Sequence, residues 1–208
     1  MQYIVKPNEI EKRSFEIISK ELGERKFPLD LDPIIKRVIH TTADFEYADL
    51  LCFQNNIIER MNELISNGAG IVSDTNMILN GVNKAALQKA GCKISCFMSE
   101  PEVAAEAKAR GITRAIVSME YALKNPDNKI FLIGNAPTAL FTLLELSKAQ
   151  TRNDIVIVGV PVGFVGAEES KDQLLKTDIP SIVVKGRKGG STVAVAIMNA
   201  LLYGVVGR

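Results

Sequence analysis

From Gly70 onward, short runs of apolar and β-branched residues alternate with segments of helical periodicity. Each run is apolar or β-branched almost throughout, which is typical of strands buried on both faces of a parallel sheet. The runs are Gly70–Ser73, Lys93–Phe97, Ile130–Ile133, Ile155–Val158 and Ser181–Val184. The sequence therefore predicts an α/β fold with a doubly wound, mainly parallel sheet of about five strands.

Helical periodicity and terminators predict the remaining elements. The predicted helices cover Pro7–Leu22, a segment starting at Asp32, Asn56–Ser66, Asn83–Ala90, Glu102–Leu123, Pro137–Ala149, Ala167–Leu175 and Ser191–Leu201. Asp32 is expected to cap its helix, and Pro33 to take the first helical position. We predict a single domain over residues 1–208, in which a helical N-terminal region, 1–68, packs on an α/β core, 69–208.

Composition excludes several classes of protein. The chain has 208 residues, 47% of them hydrophobic, which is enough for a large core, and its net charge is +1. No global field therefore attracts nucleic acids or membranes, and the absence of Trp argues against a stacking platform for single strands. Residues 1–7 lack a signal-like apolar run, and no stretch of ~18 apolar residues occurs. We expect a soluble cytoplasmic protein.

The cysteines indicate neither disulfides nor a metal site. Cys52, Cys92 and Cys96 are odd in number and have no disulfide-framework spacing. No CxxC motif or second histidine completes a set of metal ligands. Reduced, structural cysteines and no bound metal are expected.

His40 is the only histidine in the chain. At about 100° per residue, Ile34, Ile35, Val38 and Ile39 form an apolar stripe, and His40 points away from it. Its unperturbed pKa lies near neutrality, so it is the first candidate for moving a proton at pH 7. A histidine on a polar helix face is also often simply solvated, and this alternative stays open.

Polar or glycine-rich turns follow four predicted strands, at the sheet edge where open α/β proteins bind ligands. The turns are Asp74–Met77, Gly134–Thr138, Gly159–Phe164 and Lys185–Ser191. They place Thr75, Asn135, Thr138 and Ser191 near a shared pocket, with Ser191 expected to cap its helix. Each turn taken alone is also compatible with an ordinary capping cluster or a tight connection with nothing bound.

The last turn predicts an anion site. Its glycines let the backbone approach a ligand, the following helix start favours anions, and Arg187 and Lys188 add positive charge. The alternative is a glycine-rich connection with two solvated cations. The turn matches neither GxGxxG nor GxxxxGK[ST], and the chain contains no GxSxG or HExxH motif. These residues suit proton-assisted rearrangement of an anionic molecule better than hydrolysis.

The chain resembles the precorrin-8X methylmutases of cobalamin biosynthesis, including the cobalt-precorrin-8 methylmutases, over nearly its whole length. The matching motifs are Ile10–Phe15, Arg37–Thr42, Asp74–Gly81, Gly111–Arg114, Gly134–Leu140, Pro161–Val165, Glu169–Lys171, Gly186–Ser191 and Asn199–Leu201. The resemblance implies a flavodoxin-like, three-layer α/β/α fold and a homodimer with active sites near the interface. It also implies migration of a methyl group from ring carbon 11 to carbon 12, giving hydrogenobyrinate or cobyrinate.

The implied reaction is a 1,5-sigmatropic shift within one molecule, so no redox cofactor or methyl donor is expected, and any cobalt is part of the substrate. His40 matches the family's histidine and is expected to donate or accept the proton. Ser14 matches a substrate-contacting position. Arg114, Arg187 and Lys188 are candidates for binding the acetate and propionate arms, although an ion pair at the subunit interface stays open for Arg114.

Two competing functions differ from this one in kind. A non-catalytic corrinoid carrier would keep the anion-binding turns but would not need His40. A nucleotide-dependent oxidoreductase or kinase would use the Arg187–Ser191 turn as a phosphate cradle, but the usual fingerprints are missing. We also expect transient contacts with neighbouring pathway enzymes.

Overall fold

The computed structural model describes residues 5–150 and 152–207. Residues 1–4, which belong to the stretch considered for a signal peptide, and residues 151 and 208 lie outside the described residues. The strands are β1 (Leu51–Gln54), β2 (Gly70–Ser73), β3 (Ile94–Ser95), β4 (Asn128–Ile133), β5 (Val156–Gly159) and β6 (Ser181–Val184). The helices are α1 (Pro7–Leu22), α2 (Asp32–Thr42), α3 (Tyr47–Leu50), α4 (Ile57–Ser66), α5 (Asn76–Gly81), α6 (Lys84–Ala90), α7 (Pro101–Arg110), α8 (Arg114–Leu123), α9 (Pro137–Gln150), α10 (Ala167–Leu174) and α11 (Ser191–Val206).

The strands form one sheet in the order β1-β6-β5-β4-β2-β3. Five strands run parallel, and β1 pairs antiparallel with β6 at the edge. Counted from β2, the parallel strands have the order 2-1-3-4-5, which is that of flavodoxin-like sheets. The predicted α/β class with a mainly parallel sheet is confirmed.

The sheet is covered on both faces, which explains why its strands are continuously apolar. Ile130 and Leu132 of β4 face a core shared with α1, α2, α4 and α11, whereas Phe131 and Ile133 face a second core with α8, α9 and α10. All four side chains are fully buried. Full burial of one such side chain contributes about 1.5–3 kcal/mol, so a two-sided strand is stabilised on both faces. The predicted three layers are confirmed.

Several short elements differ from the sequence prediction, among them α3, which was not predicted. β1 was missed in the N-terminal third, because a four-residue edge strand shows too little periodicity. The predicted helix Glu102–Leu123 is two helices, since Gly111 ends α7 in the left-handed region and Thr113 caps α8. α5 was predicted only as a turn because it has six residues.

Two predicted helix caps are off by one position. Leu31 is the N-cap of α2, and Asp32 is its first residue, ion-paired with Lys36 at 2.8 Å. Gly190, with a φ of 124°, is the N-cap of α11 in place of Ser191. One hydrophobic core runs from Ile18 in α1 to residues of α11 and therefore includes the N-terminal region. The division at residue 68 stays a prediction.

Candidate active site

His40 faces an open pocket of about 260 Å³ between α2, α5 and α11. The stripe of α2 is buried as predicted, and His40 on the other side of the helix is exposed. Met77 near the start of α5 and Thr192 near the start of α11 line the same pocket. The pocket therefore connects the imidazole to two turns at the carboxyl edge of the sheet.

The imidazole of His40 stacks on a phenylalanine. The rings of His40 and Phe15 have centroids 5.4 Å apart and an interplanar angle of 22°. Partial burial, followed by the neighbouring Arg37 cation, lowers the pKa of His40 below its ordinary value. His40 is therefore held in a defined orientation, with its neutral form favoured.

Arg37 occupies the same side of α2, three residues before His40. Its guanidinium lies 5.1 Å from the centroid of Phe15 and 5.3 Å from that of Tyr203, and it donates a 2.8 Å hydrogen bond to Glu11. Arg37 and Tyr203 both line the His40 pocket. A charged and aromatic cluster thus forms one wall of the site.

A buried carboxylate organises the centre of the sheet edge. Asp74 follows β2 and accepts hydrogen bonds from the backbone N–H groups of Gly134 (3.0 Å), Asn135 (2.8 Å) and Ala136 (2.7 Å), which follow β4. Burial raises the pKa of Asp74, and the three backbone donors act in the opposite direction. The neighbouring strands β2 and β4 lead to helices on opposite faces, so Asp74 connects the two sides of the topological switch point.

Thr75 and Ser191 meet beside this carboxylate. Their hydroxyl oxygens lie 3.0 Å apart, and Thr75 also accepts a hydrogen bond from the Ile78 N–H at the start of α5. A Cβ on Gly134 would come within 2.8 Å of the Ser191 Cα, so the turn after β4 requires glycine there. The structure therefore brings together Thr75, Ser191 and the backbone of Asn135, whose side chain is exposed.

The loops after β5 and β6 are hydrogen-bonded to each other. The Gly190 N–H donates to the Val160 carbonyl at 2.8 Å, and the Gly163 N–H donates to the Arg187 carbonyl at 3.1 Å. The Arg187 guanidinium lies 5.5 Å from the centroid of Phe164, and both side chains are exposed. Arg187 is therefore available to an anion at the rim.

Lys188 is held differently from its neighbour. Its ammonium forms ion pairs with Asp44 and with Glu46, the latter at 2.7 Å. Hydrogen bonds to these carboxylates raise the pKa of Lys188. The fully buried Lys171 donates a 2.9 Å hydrogen bond to the Lys188 carbonyl, and burial lowers the pKa of Lys171 to about 8. This geometry favours a structural role for Lys188 over a substrate contact.

Arg114 and Thr138 lie on the other face of the sheet from His40, at the starts of α8 and α9. The hydroxyl of Thr138 lies 3.1 Å from that of Thr113, and the exposed Arg114 donates to the Met98 carbonyl at 3.3 Å. Ser14 donates to the Ile10 carbonyl at 2.9 Å and directly precedes Phe15. The predicted site residues thus form several groups around one edge of the sheet.

Sequence reasoning missed residues that the structure places at the site. Arg37 is three residues from His40 on one helix, a spacing that signals neighbours on the same face. Thr192, Asn199 and Tyr203 line the pocket from α11 at helical spacing, which is a usable signal. The contact of Asp74 with the turn after β4 joins residues 60 apart and has no local signal.

Other kinds of site find no support in the described parts of the chain. Within residues 5–150 and 152–207, no group of three or more His, Cys, Asp or Glu side chains is arranged to hold a metal ion. The three cysteines are free thiols. In the same residues, no helix combines the length and apolarity needed to cross a membrane.

Fold and site define a doubly wound α/β protein with a histidine-lined pocket next to its switch point, an arrangement suited to acid–base work on a bound ligand. The family model for precorrin-8X methylmutase matches residues 9–204. The chain belongs to this family of isomerases of cobalamin biosynthesis, which confirms the predicted resemblance.

Individual relatives agree over almost the whole chain. The cobalt-precorrin-8 methylmutase of Salmonella typhimurium is 45% identical, and the alignment covers 98% of each chain. The precorrin-8X methylmutase of Pseudomonas aeruginosa is 36% identical, with 97% of each chain covered. The crystal structure of precorrin-8X methylmutase from Thermus thermophilus has a TM-score of 0.85 at 37% identity, covering 93% of this chain and 95% of that one.

Proposed function

We propose that the protein moves the methyl group on ring carbon 11 of precorrin-8 or cobalt-precorrin-8 to carbon 12, giving hydrogenobyrinate or cobyrinate. The observation that carries this proposal is the single imidazole of His40, oriented in a pocket beside the switch point of a chain from this family. The shift is intramolecular, so it needs no redox cofactor and no methyl donor.

His40 is the group that handles the proton. Migration of the methyl group changes the conjugation of the ring, and protonation of the macrocycle makes this change easier. General acid–base assistance of this kind contributes about 10²–10⁴ in rate. Holding the ring in a reactive shape and stabilising the developing charge supply the rest.

The anionic arms of the substrate require local cations, because the net charge of the chain is only +1. Arg187 is exposed in the loop after β6 and Arg114 is exposed at the start of α8, and we assign both to carboxylate contacts. Lys188 instead holds its loop through Asp44 and Glu46.

Neutral polar groups complete the contacts to the substrate. Ser14 lies beside the His40 stack. The exposed amide of Asn135 and the hydroxyls of Thr75, Thr138 and Ser191 follow strands or open helices on the same edge of the sheet. We assign these groups to hydrogen bonds with the macrocycle and its arms.

A second copy of the chain is proposed to complete the site. The His40 pocket holds about 260 Å³, which is smaller than the roughly 300–1,000 Å³ typical of sites for much smaller ligands than a tetrapyrrole. The loop after β5 exposes Phe164 and Val165, which are 82% and 90% accessible. Such apolar exposure at the rim supports a homodimer with active sites near the interface.

The cellular setting follows from the pathway. We place the enzyme in the cytoplasm, where three free cysteines are expected to stay reduced. Transient contacts with neighbouring pathway enzymes would pass on the substrate and product.

The cobalt-containing molecule is the proposed natural substrate. Four relatives named for cobalt-precorrin-8 are 43–47% identical to this chain and two others with that name 38% and 34%, compared with 36% and 34% for two relatives named for precorrin-8X. The higher identities support the cobalt form.

The direct test uses substrate labelled with ¹³C in the migrating methyl group. After anaerobic incubation with the protein, the labelled carbon is expected on ring carbon 12, with no change in molecular mass. Both the cobalt-containing and metal-free forms are assayed. Binding of both forms without movement of the label in either would refute the methylmutase activity and support the carrier alternative.

A further inference from the structure

We propose that Arg37 is a positioning residue which, together with Glu11, keeps the His40 imidazole oriented and neutral in the free protein, so that proton uptake by His40 accompanies binding of the anionic substrate. The link to substrate rests on the proposed function. The effect on the free protein rests on the geometry of the cluster alone.

The cluster is a continuous stack of planar groups. Tyr203, Arg37, Phe15 and His40 follow one another. The Arg37 Cζ atom lies 5.3 Å from the Tyr203 ring centroid and 5.1 Å from that of Phe15, and the Phe15 and His40 centroids are 5.4 Å apart. Phe15 contacts both the guanidinium and the imidazole. Fixing the Arg37 plane therefore also fixes the Phe15 ring on which His40 lies.

Glu11 sets the effective charge of this stack. Its carboxylate accepts a 2.8 Å hydrogen bond from Arg37, and both side chains are about four-fifths buried, with 20% and 18% exposure. A guanidinium stays protonated at every relevant pH. The imidazole therefore experiences a cation whose field is reduced, but not abolished, by a fixed anion.

The two partners act on His40 in opposite directions. A nearby cation disfavours the imidazolium, and a nearby anion favours it. Removal of Arg37 should thus strengthen proton binding at His40, whereas removal of Glu11 should weaken it. For charges several ångströms apart in a partly solvated site, each change corresponds to about three- to tenfold in proton affinity.

The other charged groups around His40 do not outweigh the effects of Arg37 and Glu11 on its protonation. On α2, Lys36 is paired with Asp32, and beyond its end Asp44 is paired with Lys188. α5 and α11 contain no Asp, Glu, Lys or Arg, and Tyr203 is the titratable side chain that α11 contributes. On α1, Glu11 is the charged residue bonded to the stack.

This arrangement couples substrate binding to protonation. A macrocycle with acetate and propionate arms brings negative charge to a pocket whose histidine is kept neutral by a neighbouring cation. The new anions favour the imidazolium, so His40 takes up a proton from solvent as the substrate binds and holds it for transfer to the ring.

The test is an NMR titration of the imidazole in the free protein, where the single histidine gives one unambiguous signal. The pKa of His40 is expected to rise in Arg37→Gln, to fall in Glu11→Gln and to stay near the wild-type value in Arg37→Lys, which keeps the charge. Glu16→Gln is the matched control, because Glu16 lies on α1 as Glu11 does but forms an exposed ion pair. It should leave the pKa of His40 unchanged.

Shifts in the same direction for Arg37→Gln and Glu11→Gln, or no shift in either, would overturn the proposal. Thermal unfolding shows whether each variant is folded. If Arg37→Gln is not folded, the test rests on Glu11→Gln, in which a lower pKa of His40 supports the proposal and an unchanged or higher pKa overturns it. In the assay, the pH dependence of kcat/KM should move with the NMR titration. Opposite NMR shifts in a protein without isomerase activity would leave the positioning role intact and refute only the proposed function.

Discussion

Arg187 and Lys188 are neighbours in the chain, but the structure gives them different surroundings. Lys188 bonds to Asp44 and Glu46, whereas the Arg187 guanidinium lies exposed over Phe164. A side chain that already bonds two carboxylates gains less from a third than an exposed guanidinium gains from its first. The two cations are therefore expected to respond differently to removal.

Arg187→Ala should raise KM about tenfold with little change in kcat, because a charge-assisted contact to a substrate arm is lost without affecting the chemistry. Lys188→Ala should instead lower the melting temperature with a smaller effect on KM. Steady-state kinetics and calorimetry of both variants measure this. A larger KM effect for Lys188→Ala than for Arg187→Ala would contradict the assignment.

For single side chains, the sequence predicts those features that depend on residues nearby in the chain. The exposure of His40 follows from the apolar stripe of its own helix. The pairing of Lys188 with Asp44 spans 144 residues, so no local pattern predicts it. Side chains that are distant in sequence meet only through the tertiary fold, and a single sequence does not encode such pairs locally.

The elements of the site are held together by close backbone approaches. Gly134 at the end of β4 packs against the first residue of α11, where a Cβ would meet the Ser191 Cα at 2.8 Å and its N at 2.9 Å. Neither atom belongs to a flexible side chain, so the contact cannot be relieved locally. The turn after β4 and the start of α11 are therefore coupled.

Gly134→Ala should lower the free energy of unfolding by about 1–3 kcal/mol through overpacking and should also slow turnover. Gly204→Ala is the matched control, because it lies exposed in α11 with no atom within 4 Å of the added Cβ. The control should be stabilised by roughly 0.5–1 kcal/mol through helix propensity. Urea unfolding measures both variants, and a neutral Gly134→Ala would refute the coupling.

Lys171 supports the loop after β6, and the free energy required to bury its amine depends on pH. Burial lowers its pKa from 10.5 to about 8. Below pH 8 the amine is charged in both the folded and unfolded states, so the burial cost is fully present. Between about pH 8 and 10.5 the folded state binds fewer protons, and the stability of the protein rises with pH.

Lys171→Met removes this titration. Relative to the variant, the wild-type protein should gain up to about 3 kcal/mol in free energy of unfolding between pH 8 and 10.5. Urea unfolding at several pH values gives this difference directly. A constant difference in free energy of unfolding between the two proteins over that range would show that burial does not lower the pKa of Lys171.

Helices and strands were predictable where the periodic segment is long. They were less predictable where a single glycine divides two helices or where a strand is very short. Only Gly111, Ile112 and Thr113 separate α7 from α8, and the two helices were predicted as one. β1 depends on pairing with β6 and has only four residues to show a pattern. Tertiary pairing determines such elements more than local sequence does.

The alternation of helices and strands predicts a parallel sheet with right-handed crossovers, whereas its flavodoxin-like arrangement was implied only by the family resemblance. The rule of right-handed crossovers leaves few arrangements for five parallel strands. It does not determine where an antiparallel edge strand joins, which is why the sixth strand was not expected. The fold class was therefore predictable, while the complete sheet was not.

The oligomeric state tests the proposed completion of the site. The chain should be a dimer at micromolar concentration. Phe164→Ser should weaken the dimer, because it removes an aromatic side chain that is exposed in the single chain and is proposed to lie in the interface. Leu29→Ser is the matched control, since Leu29 is 94% accessible on a different loop. Analytical ultracentrifugation measures both. A wild-type monomer, or a dimer unaffected by Phe164→Ser, would contradict this interface.

We propose that His40 handles the proton in a methyl shift that converts the macrocycle into a corrin. The most direct measurement is anaerobic stopped-flow visible spectroscopy of cobalt-precorrin-8 and precorrin-8 with the wild-type protein and with His40→Asn. We expect the wild type to give the corrin spectrum, and the variant to bind the substrate but convert it about 10²–10⁴-fold more slowly. Conversion by His40→Asn at the wild-type rate, or binding without conversion by the wild type, would contradict this proposal.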